Sequence, residues 1–268
     1  MKKLTGLLIV IVLLFFISGC KDEDPETGKI SITFEELVDN YPLVTDTVKY
    51  VNEAGNEYVI TEVQYFISNL KLYYQDGSTH IIIQDNGIHY RDTDIPETRK
   101  WVINDDVPTG IIDSIVFTFG LDEETNKSGL FPNPPESNMF WPDELGGGYH
   151  YMKLNGKWLT TNQSIDPFNF HLGIGQTYDT TGTVTGFVQN YFKVNVYLAV
   201  YSSFIIKVNP GEITDLSLAM NIESWFKTPH TWNFNYMGGM MMQNQEKLKM
   251  ACENGYDVFS IGPLHDWE

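Results

Sequence analysis

A chain of 268 residues with 17 Lys and Arg against 35 Asp and Glu carries a formal net charge of −18. Binding to a nucleic-acid backbone depends on clustered Lys and Arg, and no such cluster exists here, so nucleic acid is excluded as a partner. Anionic lipid head groups are repelled for the same reason.

In chain order, Met1, Lys2 and Lys3 give a positive start, and residues 4–16 form an almost unbroken apolar run. At about 13 residues that run is too short to cross a hydrocarbon core of roughly 30 Å. It ends in Ile17-Ser18-Gly19-Cys20, the order of a bacterial lipobox. Residues 1–19 are therefore expected to be a lipoprotein signal peptide and Cys20 the acylated first residue of the mature protein. Lys21, Asp22, Glu23 and Asp24 follow, too charged to pack, so residues 20–28 read as a flexible acidic tether. This run resembles the lysine-plus-acidic signal that sends Bacteroidetes lipoproteins to the outer face of the outer membrane, with the periplasmic face as the alternative. Loss of residues 1–19 removes two lysines and no acid, leaving 15 basic and 35 acidic residues and a formal charge of −20. With Cys20 acylated, Cys252 has no intramolecular disulfide partner, so stability must come from packing.

Residues 29–268 read as a single domain. Alternation and enrichment in β-branched and aromatic residues predict strands over 29–34, 47–51, 57–61, 63–74, 80–83, 111–120, 149–154, 168–172, 191–201, 204–208 and 212–221. Asp76-Gly77 and Asn155-Gly156 read as tight turns, because Asn or Asp followed by Gly tolerates positive φ. Long loops are expected at 85–109 and 122–148, and loops of this length in a compact domain tend to be functional or disordered. Residues 221–227 have room for one or two helical turns, and 244–254 has helical composition ending at Asn254-Gly255. The fold class is thus all-β, an antiparallel β-sandwich of Greek-key type with long loops and a short C-terminal helix.

No catalytic signature is present: no nucleophile elbow, phosphate-binding loop, His-Glu-x-x-His or Cys-x-x-Cys occurs. An enzyme is not expected, and a copper-dependent redox enzyme ranks last among the readings. The histidines are His80, His89, His150, His171, His230 and His265, and methionines gather at Met237, Met240, Met241 and Met242. Imidazole nitrogen and thioether sulfur together suit copper. The methionine run, set among glycines, is either a thioether-rich copper site or an adaptable apolar patch.

Several stretches resemble the MbnP-like family: Ser68-Asn69-Leu70-Lys71-Leu72, Phe119-Gly120-Leu121-Asp122, Asn138-Met139-Phe140-Trp141, Gly148-Tyr149, Lys153-Leu154-Asn155-Gly156, Phe168-Asn169-Phe170-His171-Leu172-Gly173 and Asn254-Gly255-Tyr256-Asp257-Val258-Phe259-Ser260. The resemblance runs from about residue 29 to 262. Relatives of this kind include surface or periplasmic copper proteins in which two histidines and an oxidised tryptophan, kynurenine, hold the metal. In one branch a di-haem cytochrome c peroxidase-like partner is implicated in the oxidation.

The resemblance implies copper held by His171 and a second histidine, taken as His89, with Trp141 as the oxidisable residue and Met139 as an additional candidate ligand. A core or loop-anchoring role for Trp141 is the alternative. The pattern departs from the family where Ile88-His89-Tyr90 replaces Tyr-His-Leu, where Trp141-Pro142-Asp143 supplies one tryptophan of a usual Trp-x-Trp, and where an extra histidine, His150, follows Tyr149. The expected function is metal capture, storage or delivery by an envelope-anchored, non-enzymatic copper-binding lipoprotein. Expected partners are the membrane, through lipid on Cys20, and either a di-haem peroxidase-like protein or a TonB-dependent receptor. The competing function is a surface adhesion module whose aromatic loops recognise a glycan or a partner protein.

Overall fold

The computed structural model describes residues 26–47, 49–198 and 205–262. Cys20, the expected signal peptide and His265 lie outside the described residues. The first strands are β1 (Thr27–Val38), β2 (Tyr41–Pro42), β3 (Tyr50–Val51), β4 (Glu57–Tyr74), β5 (Thr79–Ile81) and β6 (His89–Asp92). They are followed by β7 (Lys100–Pro108), β8 (Gly110–Phe119), β9 (Met152–Leu159), β10 (Ile165–Leu172) and β11 (Gly175–Tyr178). Last come β12 (Val184–Val188), β13 (Phe192–Tyr197), β14 (Ile206–Val208), β15 (Ile213–Asn221) and β16 (Phe259–Ile261).

Two sheets face each other, as expected of an all-β sandwich. One runs β16-β15-β1-β2, with β7 also paired to β1. The larger runs β10-β9-β4-β8-β13 and takes β3, β5 and β6 on the other side of β4. β11 and β12 make a separate two-stranded ribbon. Pairing is antiparallel except between β1 and β15, which run parallel in register from Lys29 opposite Ile213 to Leu37 opposite Asn221. That pair is covered on both faces: Ile30, Ser31, Ile32 and Phe34 of β1 are all fully buried, as parallel strands usually are.

Aromatic rings fill the space between the sheets. Phe34 of β1 meets Tyr65 of β4 edge-on at 6.3 Å, and Phe119 of β8 meets Phe259 of β16 at 5.6 Å. Each fully buried ring stabilises the fold by roughly 1.5–3 kcal/mol. The C-terminal helix Gln245–Asn254 begins where Asn244 Oδ1 accepts from Lys247 N at 3.0 Å, and it buries Leu248 and Ala251. Expected residues 221–227 form a 3-10 turn, Ile222–Phe226.

Four local expectations need correction. The loop expected over 85–109 contains β6 and β7, in which Trp101, Ile103 and Val107 alternate inward. β1 begins at Thr27, inside the expected tether. Strands 57–61 and 63–74 are one strand, β4, interrupted by a bulge at Ile60 and Glu62 in its pairing with β9.

The fourth correction bears on function. Asn155-Gly156 is not a turn but the middle of β9, paired with Asn169 and Phe168 of β10. Gly156 is there for space, since a Cβ would lie 2.3 Å from both Phe168 Cζ and the Val59 carbonyl oxygen. The hairpin turns instead around residues 160–164, closed by Thr160 N to Ser164 O at 2.8 Å. The expected loop 122–148 does lack strands and carries only the 3-10 turns Glu136–Met139 and Asp143–Leu145.

Candidate metal centre

On β10 the residues Phe168, Phe170 and Leu172 are buried toward the opposing sheet, so the intervening Asn169 and His171 point to the other face. Directly opposite His171 on β9 stands Lys153, and opposite Asn169 stands Asn155. The 122–148 loop returns to this face through Trp141 N to Gly148 O at 2.8 Å and His150 N to Met139 O at 2.6 Å. These bonds carry Met139, Trp141 and His150 to the same place.

Three rings meet there. Trp141, fully buried, packs edge-on to His150 with centroids 4.6 Å apart, and His150 packs edge-on to His171 at 5.0 Å. Trp141 Nε1 donates to the Leu145 carbonyl at 3.1 Å. Gly173 supplies the room: a Cβ there would come within 2.5 Å of the indole ring.

Hydrogen bonding leaves one nitrogen of each imidazole uncommitted. His150 Nδ1 bonds the Met139 carbonyl at 2.9 Å. A carbonyl only accepts, so Nδ1 carries the proton and Nε2 the lone pair. His171 Nε2 bonds Asn155 Oδ1 at 2.7 Å, while Asn155 Nδ2 donates to Glu62 Oε2 at 2.9 Å. The carboxylate fixes which way the amide faces, so His171 Nε2 is the protonated nitrogen. His171 Nδ1 is then a buried lone pair with no hydrogen-bond partner. Metal-ligating imidazoles are generally oriented by such a bond from the second nitrogen.

Both rings are neutral at ordinary pH. Burial pushes His150 down to about 4, and the Lys153 ammonium adds to the shift while the Met139 carbonyl opposes it. Burial likewise pushes His171 down to about 3, with His150 and Lys153 adding to it. A neutral imidazole has a lone pair to give to a metal.

Of the expected site residues, His171 and Trp141 are brought together. Met139 is fully buried and serves the site through its carbonyl bond to His150. His89 does not join them. It lies across from Ile67 on β6, on the far side of β4 from β9 and β10, and stacks between Phe34 at 4.8 Å and Trp101 at 5.2 Å. Its Nε2 bonds the Thr98 carbonyl at 2.8 Å. It therefore points into the inter-sheet core while His171 points away from it, and two strands at about 4.8 Å spacing separate their positions.

The second histidine at the site is His150. The signal for it was present in the sequence: a β9–β10 hairpin turning near residue 162 places residue 150 just past the pair Leu172 and Met152. Among the methionines, Met241 is buried, whereas Met240 is 56% exposed and its sulfur accepts from Asn169 Nδ2 at 3.4 Å. A carboxylate group, Glu62, Asp92 and Asp94, also lies on this side, with oxygens within 4.8 Å of one another. Asp92 is already engaged by Gln64 Nε2, Tyr90 OH and Asp94 N.

A family model described as MbnP matches residues 27–243. Among solved structures, MbnP from Methylosinus trichosporium is similar with a TM-score of 0.57 at 13% identity, covering 90% of this chain and 100% of that chain. At this identity the likeness concerns the fold. Among curated proteins no sequence relative matches.

Proposed function

This chain belongs to the MbnP family, and from that premise we propose that it binds copper through His150 and His171, beneath Trp141, as a non-enzymatic protein of the cell envelope. The observation that carries this reading is the pair of neutral imidazoles at 5.0 Å, each with one lone pair uncommitted, and above all the buried, partnerless His171 Nδ1. A buried polar atom without a partner costs about 1–3 kcal/mol, and a bound metal would remove that cost. Imidazole nitrogen suits copper. The fully buried Trp141 is the residue proposed for oxidation to the third ligand. Copper bound here would provide a metal to be captured, stored or handed on, and the residues hold and orient it.

The remaining parts of the proposal concern location and partners. Acylation of Cys20 would leave the domain on the outer membrane, facing outward on the strength of the acidic run at residues 22–24. A di-haem peroxidase-like partner would oxidise Trp141, and a TonB-dependent receptor would take up the metal. Intact mass and metal analysis of protein purified from its own host test these parts together. One equivalent of copper, an acylated Cys20 and the mass change of kynurenine formation at Trp141, one oxygen gained and one carbon lost, are expected; metal-free protein that takes up no copper on addition would overturn the reading.

A further inference from the structure

We propose a second binding site, for an acidic oligosaccharide of the uronate type, in a trough on the outer face of the larger sheet. It is formed by β4, β8 and β13, toward the opposite edge of that sheet from His171, and does not depend on the copper reading. Strand register builds it. Tyr73 of β4 and Tyr197 of β13 stand on either side of Ser114 of β8, and Lys71 and Asn195 stand on either side of Val116. Leu72, Ile115, Phe117, Val194 and Val196, which alternate with them, are buried toward the opposing sheet. Residues directly opposite in adjacent strands share a face, so the small side chains of β8 make a floor and the longer ones of its neighbours make two walls. Strands lie about 4.8 Å apart, which sets the walls about 9.6 Å from each other. The cleft between them has a volume of about 560 Å³.

The lining suits a sugar. A pyranose ring has an apolar C–H face that packs on an aromatic ring, and hydroxyls around its edge that need polar partners. Tyr197 is 56% exposed on one wall, and Tyr256, 66% exposed, packs on Phe192 beside Lys193 at 5.7 Å and lines the same cleft. Rings of this kind offer an apolar face and a polar tip together. Asn195 Nδ2 reaches the Tyr197 hydroxyl at 3.5 Å, and Ser114 lies on the floor between the two tyrosines, so amide and hydroxyl groups stand beside the rings.

Charge selects the acidic class. The chain carries a net −18, yet no residue lining the trough is acidic. Asp113 and Asp257, next in sequence to Ser114 and Tyr256, do not line it. Lys193 stands on the β13 wall, and on the β4 wall Lys71 Nζ lies 4.9 Å from the Tyr73 ring centroid, where the ring face attracts it. Much of this protein's surface repels anions, but here a carboxylate meets two ammonium groups, and ammonium-to-carboxylate hydrogen bonds are among the stronger ones.

The test is calorimetric titration of the purified full chain with hexagalacturonate, and with xylohexaose and hexaglutamate as probes that lack the charge or the sugar. Saturable binding of hexagalacturonate is expected, at least about tenfold tighter than either control and weakened in about 1 M salt, where the screening length is about 3 Å. Tyr197→Ala and Lys193→Gln should each lose about tenfold. Tyr197→Phe, which keeps the ring, and Tyr236→Ala, which removes an exposed aromatic outside the trough, should bind as wild type does. All four positions are exposed, and circular dichroism checks that each variant is folded. No binding of hexagalacturonate at millimolar concentration, equal binding of hexaglutamate or xylohexaose, or wild-type affinity in both Tyr197→Ala and Lys193→Gln would overturn the proposal.

Discussion

His171 and Asn155 are bonded Nε2 to Oδ1 at 2.7 Å, and the Asn155 amide continues the connection to Glu62 Oε2 at 2.9 Å. This chain sets which nitrogen of His171 is free. Replacing Asn155 with Leu removes the acceptor while keeping the strand position, so His171 loses its fixed tautomer and ring angle. Copper affinity is expected to fall by roughly 10–100-fold, the usual cost of losing such an orienting partner. Asn155→Asp, which still accepts, should fall less. Chelator competition on the two variants checks the order.

His89 separates the site from the core. Phenylalanine fits between Phe34 and Trp101 and gives up only the Thr98 bond, so His89→Phe should bind copper with wild-type stoichiometry. The same variant has a pH signature. Burial pushes His89 down to about 4 in the folded protein, below its ordinary value near 6.5, so between those values the unfolded chain binds more protons. Stability is therefore complete above about pH 6.5 and is lost as pH falls toward 4, by on the order of 3 kcal/mol from this group. In urea unfolding at pH 7 and pH 4.5, the loss on acidification should be smaller in His89→Phe than in wild type.

Gly173 holds the place of the indole. A methyl group there would lie 2.5 Å from the Trp141 ring, so Gly173→Ala must displace that ring from His150. The expected result is a loss of about 1–3 kcal/mol of stability, the usual range for overpacking, with a red-shifted tryptophan emission and weaker copper binding. Denaturant unfolding and fluorescence measure the first two directly.

Strand content, the turn at Asp76-Gly77 and the C-terminal helix were legible in the sequence because each rests on local chemistry: alternation, positive φ at Gly77, and the Asn244 cap. The parallel pairing of β1 with β15 was not, since no local signal joins Lys29 to Ile213. The site was half legible. His171 and Trp141 lie in distinctive aromatic runs, but reading Asn155-Gly156 as a turn broke β9 where it supports His171. Gly156 was read as conformational freedom when its role is to admit the Phe168 ring. His89 drew attention by its neighbours in sequence, and only the pairing of β6 with β4 reveals that its ring faces the opposite side of the sheet.

The pairing of Arg91 with Glu36 is the main buried ion pair between the sheets, with Nε to Oε1 at 3.0 Å and Nη2 to Oε2 at 2.6 Å. Both side chains are almost fully buried, and Tyr65 OH adds a third bond to Glu36 at 3.1 Å. Arg91→Ala would strand the carboxylate, at an expected cost of roughly 3–5 kcal/mol. The double change Arg91→Met with Glu36→Leu should cost less than Arg91→Ala alone. Denaturant midpoints of the two proteins decide this.

The central claim is that His150 and His171 together hold the metal. Its most direct measurement is Cu(I) titration against a chromophoric chelator for wild-type protein, His150→Ala, His171→Ala and His89→Ala, each checked for folding by circular dichroism. One equivalent bound by wild type and by His89→Ala, with a loss of at least about 100-fold in affinity, some 2.7 kcal/mol, in each of the other two, is the expected result. Wild-type affinity in folded His150→Ala or His171→Ala, or loss of binding only in His89→Ala, would contradict it.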